Sequence, residues 1–267
     1  MPETTDKNER ARSETGPSGE LAGRARSETG PSGNFVSCIM PTRGRRAWVP
    51  LALRCWQEQD WPAFARELIV VDDGPEPVGD LCAGAARVRY VHLAGHNSIG
   101  AKLNLGCELA TGDVLAAWAD DDYHAPHRLA YQLQELERSG AAVCGTDCLH
   151  YWDVLRQEAW RYEWAIGTRS NGYVTGGTMM WRRAFWERGR FDALHASGED
   201  TRWICGRGPL LGTLEMDIYV ATIHGRNTGD KDLALLEASP HWTRQARETI
   251  EGIAPAWWLA GAREAAQ

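Results

Sequence analysis

From residue 34 onward, short apolar runs that end in polar clusters alternate with stretches of helical spacing. No other feature restricts the fold as much. Residues 35–40 read as a strand, 45–59 as a helix with Pro50 in its first turn or at a kink, and 67–71 (ELIVV) as a buried strand. A third strand is expected at 87–93, a helix at 99–110 and a fourth strand at 114–119 (VLAAWA). A helix at 126–139 and a strand at 141–145 complete the series. Uncharged runs of this length suit strands covered on both faces. Strands alternating with helices imply a mostly parallel sheet with right-handed crossovers. Ligands of such sheets sit beyond the carboxyl ends of the strands. Three polar clusters fall at such ends: Pro41-Thr42-Arg43-Gly44, Asp72-Asp73 and Asp120-Asp121-Asp122.

The acid triplet carries the most chemistry. Three crowded carboxylates repel one another, and burying them is costly unless a cation neutralises them. Mg²⁺ and Mn²⁺ prefer carboxylate oxygen, and Mg²⁺ usually shares its shell with substrate phosphates. The triplet alone leaves two readings open. One is a metal–diphosphate site; the other is a solvated acidic turn or helix start, where Asp is also frequent.

The formal charge of −7 argues against a nucleic-acid-binding protein, since phosphate contacts show as a basic patch. No apolar run approaches transmembrane length, and the polar, charged N-terminus is no signal peptide. A cytoplasmic protein, free or membrane-associated, is expected. Seven scattered cysteines read as free buried thiols of a reducing compartment. A zinc site at Cys144, Cys148 and His150 would have atypical spacing and no evident fourth ligand. Most of the 13 tryptophans are expected in the core.

Residues 1–33 differ from the rest. The nonapeptide ARSETGPSG occurs at 11–19 and again at 25–33, and bulky apolar residues are nearly absent. Such a segment cannot offset its chain entropy by burial, so a disordered tail is expected. Beyond Gly145, Trp, Tyr and Arg become dense. Strands are expected near 150–152, 156–163, 178–181 and 217–223, and a closing helix over 234–252.

In their order along the chain, these motifs resemble family 2 glycosyltransferases with the GT-A fold. The segments VSCIMPTRGR from Val36 and LIVVDDG from Leu68 resemble the family's first two strands and their loops. NSIGAKLNLG from Asn97 resembles its loop and helix, and Thr111-Gly112-Asp113 precedes the triplet as it does there. GGTMMWRR from Gly176 resembles the donor-sugar segment, GEDTRW from Gly198 the Glu-Asp base motif and HGRNT from His224 the late histidine loop. An Asp pair six and five residues before Pro126 is similar to that of the single-domain, spore-coat-type members.

The resemblance implies an α/β GT-A fold. Its parts are a Rossmann-like, mostly parallel sheet with helices on both faces and a smaller mixed acceptor-side sheet. One domain would span 34–267, with a nucleotide-binding half at 34–125, an acceptor half at 126–235 and a C-terminal helical segment at 236–267. Pro41, Thr42 and Arg43 would border the base, Asp73 would hold a uracil edge and Asp72 would support the turn. Lys102 would lie near the base or diphosphate, and Asp120 near the ribose. Asp121 would be the main ligand of Mn²⁺ or Mg²⁺, with His224 completing the shell or touching the diphosphate. Many members carry Asp-x-Asp-Asp, whose first Asp falls at Ala119 here, so Asp122 is also a metal candidate. Gly176, Gly177 and Thr178 would border the donor sugar. Asp200 would be the catalytic base, with Glu199 the next candidate. The donor would be a UDP-sugar by default. The acceptor would be a glycan, natural product, lipid-linked sugar or peptide, and Tyr151, Trp152, Trp160, Trp164 and Trp203 could line its pocket or fill the core.

The chemistry fits these residue types. A cation stabilises the departing diphosphate, and a carboxylate takes the acceptor's proton. An Asp, with an ordinary pKa of about 3.9, is ionised at neutral pH. An oxocarbenium-like sugar attacked once implies inversion. Taken singly, the motifs have plainer readings. Glu199-Asp200 would be a helix cap, Asp72-Asp73-Gly74-Pro75 a turn, His224 a structural histidine and Lys102 a solvated helix charge. Two other functions compete. A sugar-phosphate nucleotidyltransferase would need a Gly-rich loop after the first strand, where residues 41–46 hold one Gly. A catalytically silent nucleotide-sugar or glycan-binding protein could use the same fold.

Overall fold

The computed structural model describes residues 34–164, 173–195, 198–204, 207, 210–211, 214–229 and 237–267. The first half is built from β1 (Val36–Thr42), α1 (Val49–Gln57), β2 (Arg66–Asp72), α2 (Gly79–Cys82), β3 (Val88–His92), α3 (Ile99–Leu109) and β4 (Val114–Ala117). These four strands are parallel and lie in the order β4-β1-β2-β3. Side chains alternate across a strand, and here the alternation divides the core. Val36, Cys38 and Met40 pack with Ala52 and Trp56 of α1. Ile39 packs with Leu103 and Cys107 of α3 on the other face. The uncharged runs are therefore covered on both sides, as the sequence pattern requires.

The helix of the first crossover starts at Val49, later than its spacing suggests. Pro50 lies in the first turn, where its missing N–H costs nothing. Arg45–Trp48 form a tight turn instead, and the Arg45 carbonyl accepts from the N–H groups of Trp48 and Val49 at 2.8 and 3.0 Å. That turn keeps Arg45 beside the strand ends.

The second half adds β5 (Tyr123–His124), α4 (Arg128–Ser139), β6 (Val143–Cys144), β7 (Cys148–Asp153), β8 (Glu158–Glu163), β9 (Met180–Arg182), α5 (Arg183–Glu187), α6 (Glu199–Ile204), β10 (Leu210–Leu211), β11 (Tyr219–Ile223) and β12 (Trp242–Gln245). β9 inserts antiparallel between β4 and β6, giving a seven-stranded sheet A in the order β10-β6-β9-β4-β1-β2-β3. Sheet B is mixed, with the order β12-β8-β7-β11-β5.

The expected closing helix over 234–252 is not what forms in its described part. Trp242–Gln245 pairs with β8 as a strand, and only α7 (Arg247–Glu251) is helical after it. Pro240 explains the break, because it lacks an N–H and bars its predecessor from helical backbone. Trp242 then finds the rings of Tyr151 and Tyr162 at 4.6 and 5.0 Å. The segment 236–267 is thus not helical throughout. Its last element, α8 (Ala256–Ala265), buries Trp258 against the Tyr123 ring at 5.5 Å.

Cys38, Cys55, Cys82, Cys107 and Cys144 are free and buried, and Cys148 is free and half-buried. Cys205 and the tail at 1–33 lie outside the described residues. Cys148 accepts from Arg161 at 3.1 Å and His150 pairs with Gln245 at 2.8 Å, so neither joins Cys144 in a zinc cluster. Among the described residues no helix is long and apolar enough to cross a membrane.

Candidate active site

A cleft of about 300 Å³ opens where β1 and β4 end. Pro41, Thr42, Arg43, Lys102, the acid triplet, Gly176, Gly177, Glu199 and Asp200 all line it, although they span 160 positions of the sequence. Sheet B contributes Leu149 and Tyr151 of β7 and Tyr219 and Ala221 of β11. Asp73, Thr178 and His224 are buried behind this lining.

At the end of β2, Asp72 holds the turn. Its carboxylate accepts from the Gly74 N–H at 2.7 Å, the Val78 N–H at 3.0 Å and the Tyr90 hydroxyl at 2.8 Å. Asp73 is sealed differently. Lys102 Nζ donates to it at 2.8 Å and the Asn97 N–H at 2.5 Å. Burial alone would raise its pKa, but these bonds outweigh burial and hold it below the usual carboxylate value. Lys102 also donates to the Thr42 carbonyl at 3.0 Å and is 4 % exposed. It is a buried cation with a carboxylate partner, not a solvated helix charge. The price is that the Asp73 carboxylate faces Lys102, not the cleft where a base edge would lie.

The three acids of the triplet point to different partners. Asp122 accepts from the Tyr219 hydroxyl, from the Thr222 N–H at 2.7 Å and from the Thr222 hydroxyl at 3.0 Å. Both its oxygens are thereby committed to β11, which speaks against Asp122 as a metal ligand. Asp121 pairs with His224 Nε2 at 2.9 Å. Arg45 lies 3.3 Å from Asp121 and 3.9 Å from Asp120, and it also donates to the Arg226 carbonyl at 2.5 Å. Burial first, and then the Asp121 charge, push Asp120 up to about 8 and Asp122 up to about 7. This is the electrostatic stress that crowded carboxylates should show.

The residues present fit a divalent cation shared with a ligand. Among the described residues no three His, Cys, Asp or Glu side chains form a complete cage. Asp121 and His224 supply one oxygen and one nitrogen donor side by side. Such a pair leaves positions for phosphate oxygens, which is how these hard ions are usually shared.

Also on the cleft, Asp200 lies in the first turn of α6 and accepts from the Thr201 N–H at 2.6 Å. Its other oxygen accepts from the Gly176 N–H at 3.1 Å. Asp200 thus bonds within the first turn of its helix and also lines the cleft. The 3₁₀ turn Gly176–Thr178 needs its glycines. A Cβ on Gly176 would meet Asp200 Oδ2 at 2.6 Å, and one on Gly177 would meet the Tyr219 hydroxyl at 2.2 Å. Glu199 also lines the cleft, and burial raises its pKa.

The model of Glycosyl transferase family 2 matches residues 37–195. The chain belongs to this family. Membership weighs against the nucleotidyltransferase reading. Comparison with curated proteins finds no match. Among solved structures, S. aureus TarS 1–349 in complex with UDP-GlcNAc superposes with a TM-score of 0.59 at 16% identity, over 73% of this chain and 60% of that one. Mannosyltransferase PcManGT from Pyrobaculum calidifontis, in complex with GDP-Man and Mn²⁺, gives 0.57 at 15% identity, over 90% and 75%. Against another TarS structure the match spans 37% of that chain. These likenesses confirm the α/β GT-A fold.

In this family 2 member, few of the expected aromatics reach the cleft. Tyr151 lines it, whereas Trp152, Trp160 and Trp203 are core residues. Trp164 is half-buried and stacks on Tyr173 at 4.1 Å. Two arginines at the site carry little signal in the sequence. Arg45 sits in the turn after Gly44, which looks like a helix start. Arg128 is fully buried, which nothing in its neighbours announces.

Proposed function

We propose that the protein transfers a sugar from a nucleoside-diphosphate donor to an acceptor hydroxyl, in one inverting displacement that depends on a divalent cation. One observation carries this reading: two acidic centres, held by separate partners, open on one cleft. Asp121 is held with His224 and Arg45, and Asp200 with Gly176 and Thr201. Pro41, Thr42, Arg43 and Lys102 would border the nucleoside, and Asp120 the ribose. Gly176 and Gly177 would face the sugar, with Thr178 fixing their turn. Asp200 would accept the acceptor's proton as the hydroxyl attacks the anomeric carbon and the bond to the diphosphate breaks. A cation on Asp121 and His224, Mn²⁺ or Mg²⁺, would offset the charge gained by the leaving diphosphate. A UDP-sugar is the default donor, supported by the UDP-GlcNAc complex of one structural neighbour; the GDP-Man and Mn²⁺ complex of the other supports the cation. The acceptor is a glycan, natural product, lipid-linked sugar or peptide. We place this activity in residues 34–267 and treat 1–33 as dispensable, so a chain starting at residue 34 should transfer at the full rate.

Thermal-shift measurements with UDP and GDP, with and without Mn²⁺, test the site. A ligand of the folded state raises its stability with the logarithm of concentration over Kd. Stabilisation by a nucleoside diphosphate should grow when Mn²⁺ is added. No stabilisation by either nucleotide under either condition would refute the reading. Hydrolysis of UDP-GlcNAc or GDP-mannose would separate an enzyme from a silent binder.

A further inference from the structure

We propose that Arg128 is a positioning residue for transfer, which with His124 and Gln132 fixes the acid triplet and the donor turn in one frame. Arg128 opens α4 and is 0 % exposed. Its hydrogen bonds go to neutral groups. Nε donates to Gln132 Oε1 at 2.9 Å, and one terminal nitrogen donates to His124 Nδ1. The other donates to the Ala117 carbonyl at 2.8 Å and the Gly177 carbonyl at 3.0 Å. Burying a cation is costly, and an apolar side chain of similar volume often stabilises a fold as well or better. Stability alone is thus a poor account of this residue.

The carbonyls it joins supply a better one. Ala117 ends β4, three residues before Asp120. Gly177 follows Gly176, whose N–H holds Asp200. The residues four positions before and after Arg128 extend the same pattern. Gln132 Nε2 donates to the Thr178 carbonyl at 2.7 Å. His124 pairs through Nε2 with the Ala119 carbonyl at 2.9 Å. A guanidinium can only donate, so His124 Nδ1 accepts and Nε2 carries the proton. Burial first, and Arg128 second, keep this imidazole neutral by lowering its pKa well below the ordinary value. Three side chains spaced by four residues therefore hold four carbonyls, two before the triplet and two in the donor turn. Displacing the donor turn by a fraction of an ångström would misalign Asp200 against a sugar whose diphosphate stays bound.

This rests on the proposed roles of Asp200 and the donor turn. The test uses Arg128→Lys and Gln132→Met in the full chain, with UDP-GlcNAc and GDP-mannose as donors. Wild-type protein should turn over one of them; failure to do so would overturn the reading of the site and this inference with it. Given turnover, Arg128→Lys should lower kcat by ~10–100-fold, the range expected of small misplacements. UDP or GDP affinity with Mn²⁺ should stay within about threefold, because positioning acts on the reacting centre and not on binding. Gln132→Met should move kcat the same way by less. Hydrogen exchange should quicken in 176–179 in both variants. Wild-type kcat per folded molecule in both variants, with only the melting temperature lowered, would overturn the proposal. If Arg128→Lys does not fold, Gln132→Met decides alone, and unchanged kcat there overturns it.

Discussion

Sheet A meets the cleft with the ends of its strands, and sheet B meets it with a face. At the end of β2, the Asp72 side chain is fixed by neighbours in sequence and the Asp73 backbone by the adjacent strand. Asp72 bonds within its own turn at Gly74 and Val78, and the Asp73 N–H reaches the Thr42 carbonyl at 3.3 Å. On sheet B the lining residues alternate along β7 and β11, and nothing local aligns them with the strand ends. Alignment comes from long-range ties instead. Asp122 binds β11 through Tyr219 and Thr222, and Asp121 binds His224. Three consecutive carboxylates are thereby divided. Asp120 and Asp121 face the cleft, and Asp122 fastens one sheet to the other. Identical residue types at adjacent positions can thus serve different regions, because a strand's end turns successive side chains to different sides.

Removing one group from each side of the cleft separates their roles. Asp200→Asn keeps the shape and removes the proton acceptor. Transfer should fall by ~10²–10⁴-fold, the usual worth of a general base. Isothermal titration should find nucleotide binding with Mn²⁺ unchanged, since Asp200 bonds to Gly176 and Thr201 and not to Asp121 or His224. Near wild-type transfer would leave Asp200 as a helix cap and make Glu199 the next candidate. Asp121→Ala acts on the other side. It should abolish the Mn²⁺-dependent part of stabilisation by UDP or GDP in a thermal-shift assay, while the metal-free melting temperature stays level or rises as repulsion is relieved. A mutant that keeps the full Mn²⁺ increment would show that the cation lies elsewhere.

Asp122→Ala tests the tie itself. It leaves the Tyr219 hydroxyl and the Thr222 N–H without their acceptor, at about 1–3 kcal/mol for each buried group left unpaired. Chemical denaturation should show that loss of stability, and transfer should decline through misalignment. A stable variant that has lost only the Mn²⁺ response would reverse our assignment and make Asp122 the metal ligand.

The same contrast explains what the sequence made legible. In sheet A, β1, β2 and β4 were readable because burial on both faces demands uncharged runs, and their ends were readable because turns demand Asp, Gly and Pro. The acid triplet stood out for the same reason. Its division did not, since the Tyr219 and Thr222 bonds join residues about a hundred positions apart. Lys102 and Arg128 look like ordinary helix charges, because a single sequence carries no sign of which Lys or Arg is buried. The strand at 242–245 was obscured by the helical spacing of leucines before it, although Pro240 was a visible reason to end that helix. Chemistry held by local bonds leaves a local signal; chemistry held by ties between sheets does not.

The smallest expected effect is a slope, and it probes the charge balance of the triplet without metal. Unfolded Asp ionises near 3.8, whereas folded Asp120 keeps its proton up to about 8 and Asp122 up to about 7. Between these values the folded chain binds more protons than the unfolded one, so stability falls as pH rises. The loss is complete once pH passes the folded values. His124 works in the opposite direction: it stays neutral in the fold, so stability from this group rises with pH up to its unfolded value of 6.5. The two are separated by working between pH 7 and 8. Over that interval metal-free protein should lose at most about 1.4 kcal/mol per pH unit for each proton involved. Urea denaturation of wild type and Asp120→Asn at both pH values measures it. The variant should show the shallower slope, and added Mn²⁺ should flatten the wild type by taking the proton's place as counter-charge. Equal slopes in wild type and variant would mean that Arg45 already neutralises Asp120, and the strand end would then owe its charge balance to the protein alone.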